Sequence, residues 1–477
     1  MSAIAALDQL PVEIFDRIVH YFTPYDLENV ARVSRHFRYL LESRLAKHEW
    51  LTKLYRRSEC GIKKGKKTHE SLVSDILREP LVADYVEELV TDGLERRHFT
   101  SEGDYIPPGN DASMADVRNI WLPKRHFGHE CSSLSHFDQE CYASVLFRKL
   151  PALKRLKIDD RMKRRRNHLQ LHFSFSADPL VDPVAIKRGQ QPLLDELESL
   201  EIITIPRPTA SNVFFSILFF AQLASMTSLH VWGLYPGAIG GGDGEQLYTV
   251  STTITSLSLQ CCRVSTRKLS RMLSAFPLLR SLHWDNRWPH KFGRVMASPP
   301  MERLSSVLKE LCDEKNLRSL ESLTLRSKIS DTTSIGNNIC GLNTLRYLKI
   351  DAKNLINRDE EAASLPGSIK ELHIHYTHCD PQELEFFKDS IVQYLSLSKL
   401  TLLQITATLS GNKATKMKNI GSYADLARRC ADVGVRFKMS MECRGCVMDE
   451  VDFVQYFESM ESDWAESFGD FGLALIC

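Results

Sequence analysis

A short phrase recurs along most of the chain and constrains its possible folds more than any other feature. It has the form apolar-x-x-Leu-x-apolar, and versions of it follow one another from Val86 to Ile405. Apolar and polar residues that alternate with a period of two are typical of a β-strand with one buried face. We therefore predict a series of short strands, each with a leucine at its centre. These leucines are Leu89, Leu156, Leu200, Leu229, Leu257, Leu282, Leu323, Leu348, Leu372 and Leu403.

The spacing of the phrases indicates how the strands are connected. Successive central leucines from Leu200 to Leu282 are 29, 28 and 25 residues apart, and those from Leu323 to Leu403 are 25, 24 and 31 residues apart. The stretches between phrases have helical patterns, for example residues 211–224. A unit of strand, turn, helix and turn is therefore predicted to repeat along the chain.

Residues 81–442 resemble an irregular leucine-rich-repeat array, whose period is about 20–29 residues. The resemblance implies an α/β solenoid of parallel strands with helices. The Asn or Cys expected after the strand is clear only at Cys262, and gaps of 67, 44 and 41 residues between leucines imply insertions, one of them near residues 100–140. The alternative is an ordinary α/β domain with amphipathic strands. Residues 443–477 are predicted to form a C-terminal cap or tail, and a last repeat within residues 430–477 is the alternative.

Before the repeats, residues 10–50 read as three short helices with their end signals intact. Pro11 suits the first position of the first helix. Thr23 and Asp26 are spaced as a variant of the capping box at the start of the second, and Ser34 can cap the third. These helices carry more large apolar side chains than a module of this size can bury. A further surface is therefore expected to cover the remainder.

The order of residues in this module resembles the F-box. The residues that carry the resemblance are Leu10, Pro11, Glu13, Ile14, Ile18, Phe22, Asp26, Leu27, Val30, Val33, Ser34, Arg35 and Phe37. An F-box before an irregular repeat array is similar to the arrangement in fungal members of the family. The resemblance implies an F-box module at 8–54, joined by a connection at 55–80 to the repeat body.

The F-box resemblance also implies a partner, the Skp-type adaptor of Skp-cullin-F-box ubiquitin ligases, and through it the cullin and RING subunits. The residues expected to contact the adaptor are Leu10, Pro11, Glu13, Ile14, Ile18, Phe22, Leu27, Val30, Val33 and Phe37. The alternative is that the helices only cap the end of the repeat body.

A target-binding surface follows from the strand pattern. If the leucines point inward, the residues on either side of each leucine point outward and form a polar ladder on the concave face of a solenoid. We hypothesise that this ladder selects a target protein. Its proposed binding residues are Ser281, His283, Tyr347, Lys349, Glu371 and His373, with strand-end residues Asp285, Arg287, Trp288, Asp351 and His375. The alternative is a hydrated face, with binding on loops or at the C-terminal end.

Composition and charge exclude several classes of partner. Lys+Arg of 61 and Asp+Glu of 60 give a net charge of +1, which supplies no general attraction to nucleic acid or an acidic membrane. The most apolar stretch, Val213–Met226, is shorter than the ~20 residues of a membrane helix and is interpreted as a buried helix. The first eight residues lack the pattern of a secretory signal. The 12 cysteines have no framework spacing, which favours reduced thiols in cytoplasm and/or nucleus.

Other constellations favour ordinary structural roles. Possible zinc ligands are His126, His129, Cys131, His136 and Cys141, and Cys443 with Cys446 forms a lone C-x-x-C, but neither group has the full spacing of a structural zinc site. The run Gly240–Gly244 lacks the residues of a phosphate-binding loop. The basic runs at 63–67 and 161–166 are interpreted as solvated loops, with a nuclear-import signal or an anionic contact as the alternative.

These patterns together predict a non-catalytic adaptor without metal or cofactor. The predicted function is substrate recognition for a Skp-cullin-F-box E3 ubiquitin ligase. One alternative is a ligase-independent scaffold that pairs with the adaptor without marking targets. A third hypothesis is an enzyme that uses the His and Cys residues of 126–141, although no nucleophile, base or paired-carboxylate signature supports it.

Overall fold

The structure is a computed structural model of the chain. It describes residues 10–61, 67, 69–92, 150–160, 194, 196–204, 223–233, 253–262, 269, 273–285, 319–326, 339–355, 365–377, 389, 391–392, 394–395, 399–409, 426–443 and 473–476. The chain divides into two compact units. The first consists of residues 1–205 with 215–226, and the second of residues 206–214 with 227–477.

The first unit begins with four helices. They are α1 (Val12–Val19), α2 (Pro24–Val33), α3 (Arg35–Leu40) and α4 (Glu42–Tyr55). The single third helix that was predicted is thus divided in two. The division lies at Leu41, whose backbone angles of −92° and 0° lie at the edge of the helical region and whose side chain is buried. The N–H of Leu41 still donates to the carbonyl of Phe37 at 2.9 Å, so α3 and α4 follow each other without a loop.

The predicted caps of the second and third helices are confirmed, whereas Pro11, which was predicted at the first position of the first helix, is its N-cap, one residue earlier. The Oγ1 of Thr23 accepts a hydrogen bond from the N–H of Asp26 at 3.3 Å, and the N–H of Thr23 donates to Asp26 Oδ2 at 3.0 Å, which completes a capping box. Hydrogen bonds from the hydroxyl and the backbone of Thr23 lower the pKa of Asp26. The Oγ of Ser34 accepts from the N–H of Phe37 at 3.1 Å at the start of α3. Local sequence alone therefore sets where these helices begin.

The rest of the first unit is a parallel sheet with helical connections. Its described elements are β1 (Arg57–Gly61), α5 (His69–Arg78), a 3₁₀-helix (Pro80–Tyr85), β2 (Glu88–Asp92), β3 (Arg155–Asp160) and β4 (Ser199–Thr204). The strands pair in chain order. Strand β1 was not predicted, because Ser58 occupies the position that Leu89 has in β2. The buried hydroxyl of Ser58 donates to the carbonyl of Tyr55 at 3.0 Å and is thereby satisfied.

The second unit continues the pattern with further parallel strands, again paired in chain order. Its described elements are β5 (Ser228–Trp232), β6 (Ser256–Gln260), β7 (Ser281–Asp285), β8 (Ser322–Arg326), β9 (Tyr347–Asp351), α6 (Ala352–Leu355), β10 (Glu371–Thr377), β11 (Leu402–Leu409), β12 (Arg436–Cys443) and β13 (Leu473–Ile476).

The predicted fold class is confirmed: N-terminal helices precede parallel strands in an α/β, solenoid-like repeat arrangement, and every predicted central leucine lies in a strand. Besides β1, two further strands were missed. In β12, Phe437 occupies the position that Leu403 has in β11, so β12 lacks the leucine of the phrase. Strand β13 pairs with β12 through Met439 and Leu473, which places a further repeat strand within residues 443–477.

A leucine ladder forms the core of the strands. In the second unit, Leu257, Leu282, Leu323 and Leu348 stand side by side in register and are almost completely buried. Each leucine contributes roughly 1.5–3 kcal/mol by leaving water, so the ladder supplies a large share of the driving force for stacking.

Hydroxyl groups at the turns form a second ladder that joins consecutive repeats. Ser319 donates to the carbonyl of Leu279 at 3.0 Å, Thr344 to Leu320 at 2.9 Å, and Ser368 to Leu345 at 2.8 Å. Each hydroxyl lies three residues before its strand, and each carbonyl lies two residues before the preceding strand. In the first unit Ser225 donates to Leu197 in the same way, at 2.9 Å. The hydroxyls satisfy carbonyls that the sheet itself leaves open.

Among the described residues, no helix combines the length and apolar character needed to cross a membrane. The interpretation of Val213–Met226 as a buried helix falls mostly outside the described residues.

Candidate functional site

The four N-terminal helices enclose a small apolar core. Phe15, Val19, Leu27, Phe37 and Leu41 form it, and the rings of Phe15 and Phe37 stack with their centroids 5.3 Å apart. Phe22, Val30, Ala31, Leu40 and Leu45 pack against this cluster and are partly buried. Leu27 and Phe37, which were predicted to contact the adaptor, therefore face inward. They thereby position the helices that carry the exposed residues, and their contact with the adaptor stays a prediction.

The other predicted contact residues remain accessible. Ile14 is 43% exposed, Ile18 37% and Val33 50%, whereas Leu10, Phe22 and Val30 are half-buried. Pro11 and Glu13 are exposed at the start of α1. Ile14 and Ile18 lie one helical turn apart, so their side chains share one face of α1. The helical module thus buries one apolar set in its core and presents a second set to solvent.

Further large apolar and aromatic side chains of the module are exposed although they were not predicted to bind. They are Val12, Tyr21, Tyr25, Tyr39, Trp50 and Leu54. Tyr21 with Tyr25 and Trp50 with Leu54 have i, i+4 spacing, which was visible in the sequence but does not distinguish a core face from an exposed one. Exposed apolar groups in this density indicate an interaction surface.

A polar network joins the helical module to the first repeats within the first unit. His48 of α4 is buried, with Nε2 3.1 Å from Glu28 Oε1 and Nδ1 3.1 Å from the hydroxyl of Tyr85. Because a carboxylate only accepts, Nε2–H donates to Glu28 Oε1, and Nδ1 shares a hydrogen bond with the hydroxyl of Tyr85. Burial, with the nearby carboxylates of Asp84 and Glu79, raises the pKa of Tyr85 to about 12, so its hydroxyl keeps its proton.

A second network lies beside it. The hydroxyl of Tyr55 donates to Asp75 Oδ2 at 3.0 Å, Lys67 Nζ lies 3.1 Å from the same oxygen, and the ammonium also sits 4.1 Å from the centre of the Tyr55 ring. Burial and the Asp75 carboxylate raise the pKa of Tyr55. Lys47 of α4 forms an ion pair with Glu79. These contacts fix the end of α4 against α5 and the residues before β2.

On the strands, the residues next to each leucine form two parallel rows, here called the outer rows. In the second unit the first outer row is Ser228, Ser256, Ser281, Ser322, Tyr347, Glu371, Leu402 and Arg436. The second outer row is His230, Ser258, His283, Thr324, Lys349, His373, Gln404 and Lys438. Strands β5 to β7 alternate half-buried outer-row residues with buried core residues, as the sequence predicts.

The outer rows are less exposed than predicted. Thr324 and Leu402 are buried, and most of the remaining members are half-buried. Burial also lowers the pKa of His283, an effect that Asp285 partly opposes. The buried Nε2 atoms of His283 and His373 and the Oγ of Ser258 have no hydrogen-bond partner in the part of the chain that the structure describes.

The six residues proposed to bind a target do not all lie together. Ser281 and His283 are on β7, whereas Tyr347, Lys349, Glu371 and His373 are on the adjacent strands β9 and β10. The rings of Tyr347 and His373 are 4.7 Å apart, and Glu371 Oε2 lies 3.9 Å from His373 Nε2. The β9–β10 residues therefore form a continuous patch, with β8 between them and the β7 pair.

Two of the strand-end residues proposed to select a target are instead buried. Asp351 and His375 are each 2% exposed. Asp351 Oδ1 lies 3.8 Å from Arg326 Nε and 3.4 Å from His375 Nδ1. Asp351 on β9 thus carries the charge opposite to that of Arg326 on the adjacent strand β8, and both Asp351 and His375 lie within the packed sheet. Asp285 is half-buried. Arg287 and Trp288 lie outside the described residues.

Several other predicted groups fall wholly or partly outside the described residues: the possible zinc ligands at 126–141, Cys446, the run Gly240–Gly244 and both basic runs except Lys67. Within the described ranges, no group of three or more His, Cys, Asp or Glu residues could hold a metal ion.

Comparison with known proteins identifies the helical module. The family model described as F-box-like matches residues 7–48, which cover α1 to α3 and the first half of α4. A comparison with curated proteins found no match for the chain. The resemblance read from the order of residues between Leu10 and Phe37 is thus confirmed. The chain therefore carries an F-box-like domain at residues 7–48, and this domain supports a Skp-binding adaptor role in Skp-cullin-F-box ligases.

Proposed function

We propose that the chain is the substrate-recognition subunit of a Skp-cullin-F-box E3 ubiquitin ligase. The observation that carries this proposal is the second apolar set on an F-box-like domain whose core is already filled by Phe15 and Phe37. Exposed Ile14, Ile18 and Val33 need a partner surface to leave water. The Skp-type adaptor is the partner that the F-box-like domain supports.

In this proposal the chain performs no bond chemistry and acts by position. It docks on the adaptor through the exposed and half-buried contact residues and, through the adaptor, joins the cullin and RING subunits. Holding a target at the same time raises the effective concentration of target lysines near the ubiquitin-charged conjugating enzyme. The chain is therefore proposed to be non-catalytic and to work in the cytoplasm, the nucleus or both.

The outer rows of the strands are the proposed target-binding face. They present hydroxyl, imidazole and amide groups at half-buried positions. The buried Nε2 atoms of His283 and His373, which have no hydrogen-bond partner among the described residues, favour a ligand that supplies hydrogen bonds. A ligand on this face would contact Ser281, His283, Tyr347, Lys349, Glu371 and His373.

Co-expression with a Skp-type adaptor followed by affinity capture tests the docking role. Ile14→Asp with Ile18→Asp places two carboxylates in the exposed apolar set, and we expect loss of stoichiometric capture. Lys53→Asp, at an exposed position of α4 outside the matched range, is the control and should leave capture intact. Intact capture by the double variant, or no capture by the folded parent chain, would remove the basis for docking through the F-box-like domain.

The ligase role is separable from a ligase-independent scaffold. We expect the turnover of a captured target to stop both when the cullin is inactivated and when Ile14 and Ile18 are changed. If the target is captured but its half-life is unaffected by either change, the scaffold is the correct function. Imaging of the fluorescent full chain tests the proposed location.

A further inference from the structure

The outer rows of the second unit differ in charge between their two halves. The eight outer-row residues of β5 to β8 include no formally charged side chain other than the titratable His230 and His283. Those of β9 to β12 include the cations Lys349, Arg436 and Lys438 and one carboxylate, Glu371, which gives a formal charge of +2. The β9–β12 half is here called the basic segment of the face.

Two of the three cations of the basic segment, Arg436 and Lys438, differ from the cations on the strands of the first unit. There, the outer-row cations have carboxylate partners on neighbouring strands: Arg155 lies 3.2 Å from Glu88, and Lys157 lies 2.8 Å from Glu201. Arg436 and Lys438, by contrast, are exposed and form no ion pair with any residue that the structure describes. Their charge is therefore not neutralised by the face itself.

The register fixes how these groups are arranged. Lys349, His373, Gln404 and Lys438 occupy four consecutive strands in one row. At about 4.8 Å per strand, the backbone positions of the two lysines are roughly 14 Å apart. The ring of Tyr347 against His373 supplies an apolar contact on one side of this row.

The histidine in the row is neutral near pH 7. Burial, followed by the ammonium groups of Lys349 and Lys438, lowers the pKa of His373 to about 4. Both lysine charges thus disfavour protonation of this ring. The neutral ring lies between the two lysines and offers a nitrogen for a hydrogen bond without adding a third charge.

We propose that the basic segment binds an extended, carboxylate-rich segment of the target protein, with carboxylates on Lys349 and Lys438 and a polar group of the segment on His373. This inference rests on the proposed target-holding role of the face. In an extended peptide, side chains on the same side recur about every 6.8 Å, so carboxylates four residues apart lie about 14 Å from each other. That distance matches the separation of the two lysines in the row.

A labelled peptide tests this inference without knowledge of the target. The probe is a fluorescein-labelled ten-residue peptide of alternating Glu and Gly, and its binding to the full chain is followed by fluorescence anisotropy. We expect Lys349→Gln with Lys438→Gln to weaken binding about tenfold, since each exposed charge pair contributes a small increment. Lys53→Gln with Lys399→Gln removes the same charge from exposed positions outside the outer rows, and we expect less than a twofold change.

Three outcomes would overturn the inference: no binding of the acidic peptide, equal weakening by both double variants, or equal binding of a peptide with Gln in place of Glu. Binding of a phosphoserine-glycine peptide through the same lysines, without binding of the Glu peptide, would also overturn it and assign the row to a phosphorylated target. Adaptor capture is measured on the same preparations. If the parent chain captures the adaptor but does not bind the acidic peptide, only this inference is refuted, whereas failure of the parent chain to capture the adaptor refutes the docking role.

Discussion

Replacing Phe37 with alanine would test the division of the F-box-like domain into a buried and an exposed apolar set. Phe37 is 1% exposed and stacks on Phe15 in the module core. Truncation of a buried phenylalanine costs about 3–5 kcal/mol, through lost burial and the cavity that remains. That loss changes a folded-to-unfolded ratio by about two to four orders of magnitude. The free energy of unfolding of a module of four short helices does not exceed this loss, so we expect α1 to α3 to unfold.

Hydrogen exchange of the full chain measures this opening helix by helix. In Phe37→Ala we expect the amides of α1 to α3 to lose their protection, while the leucine ladder of β6 to β9 retains its own. Tyr39→Ala is the matched control, because Tyr39 lies on the same helix but is 75% exposed. Its effect on stability should be within about 0.5 kcal/mol. Phe37→Leu keeps most of the buried volume and should have an intermediate effect.

The burial argument fails if Phe37→Ala and Tyr39→Ala lower protection equally, or if Phe37→Ala leaves protection unchanged. Adaptor capture then separates positioning from contact. A role in positioning predicts that Phe37→Leu still captures the adaptor, since the helices remain in place. Loss of capture by a fully protected Phe37→Leu variant would show that Phe37 contacts the partner directly, as the sequence alone suggested.

Three further predictions follow from single groups of contacts. Ser368→Ala and Thr344→Val each remove a hydroxyl that satisfies a carbonyl of the preceding repeat, and each should lower the free energy of unfolding by about 1 kcal/mol in urea denaturation. The pKa of His373 is lower in the folded than in the unfolded chain. As the pH falls from about 6.5 towards about 4, the unfolded chain takes up a proton at this histidine and the folded chain does not, so the free energy of unfolding decreases. Urea midpoints across this range should fall less steeply in His373→Gln. His48→Phe removes the bridge between Glu28 and Tyr85 and leaves the hydroxyl of buried Tyr85 without this hydrogen bond, so we expect faster hydrogen exchange of α4 but not of β7; equal acceleration of both would contradict a local role.

Local signals in the sequence predicted the helix starts and most strands. Thr23 and Ser34 cap their helices through their own hydroxyls, which depend on neighbours three residues away and on nothing distant. The leucines of the phrases are buried because alternation places them on one face. Two of the missed strands, β1 and β12, have substitutes for leucine: a hydrogen-bonded hydroxyl at Ser58 and an aromatic ring at Phe437.

The division of the apolar residues could not be predicted in the same way. Ile14, Phe15, Ile18 and Val19 form one broad apolar stripe in the sequence of α1, but Phe15 and Val19 enter the core while Ile14 and Ile18 remain exposed. The helical period predicts the apolar stripe of α1, whereas the packing of α2 to α4 decides which residues of the stripe are buried. The burial of Asp351 also could not be predicted from local sequence, since it depends on Arg326 and His375, which lie on the two adjacent strands.

The connection between the F-box-like domain and the strands bears on how a positional mechanism would work. Helix α4 ends at Tyr55 and β1 begins at Arg57, so a single residue separates them. The carbonyl of that residue, Arg56, accepts from the N–H groups of both Glu87 and Glu88, at 3.1 and 2.9 Å, which binds the junction to β2. A flexible tether would spread the first repeat strands over many positions relative to the domain and dilute their effective concentration near the ligase. Here the junction is hydrogen-bonded, and the networks of His48 and Tyr55 lie beside it. Within the first unit, packing therefore sets the distance between the exposed apolar set of the F-box-like domain and the first strands. Lengthening the junction with glycine should therefore reduce ubiquitin transfer without reducing adaptor capture.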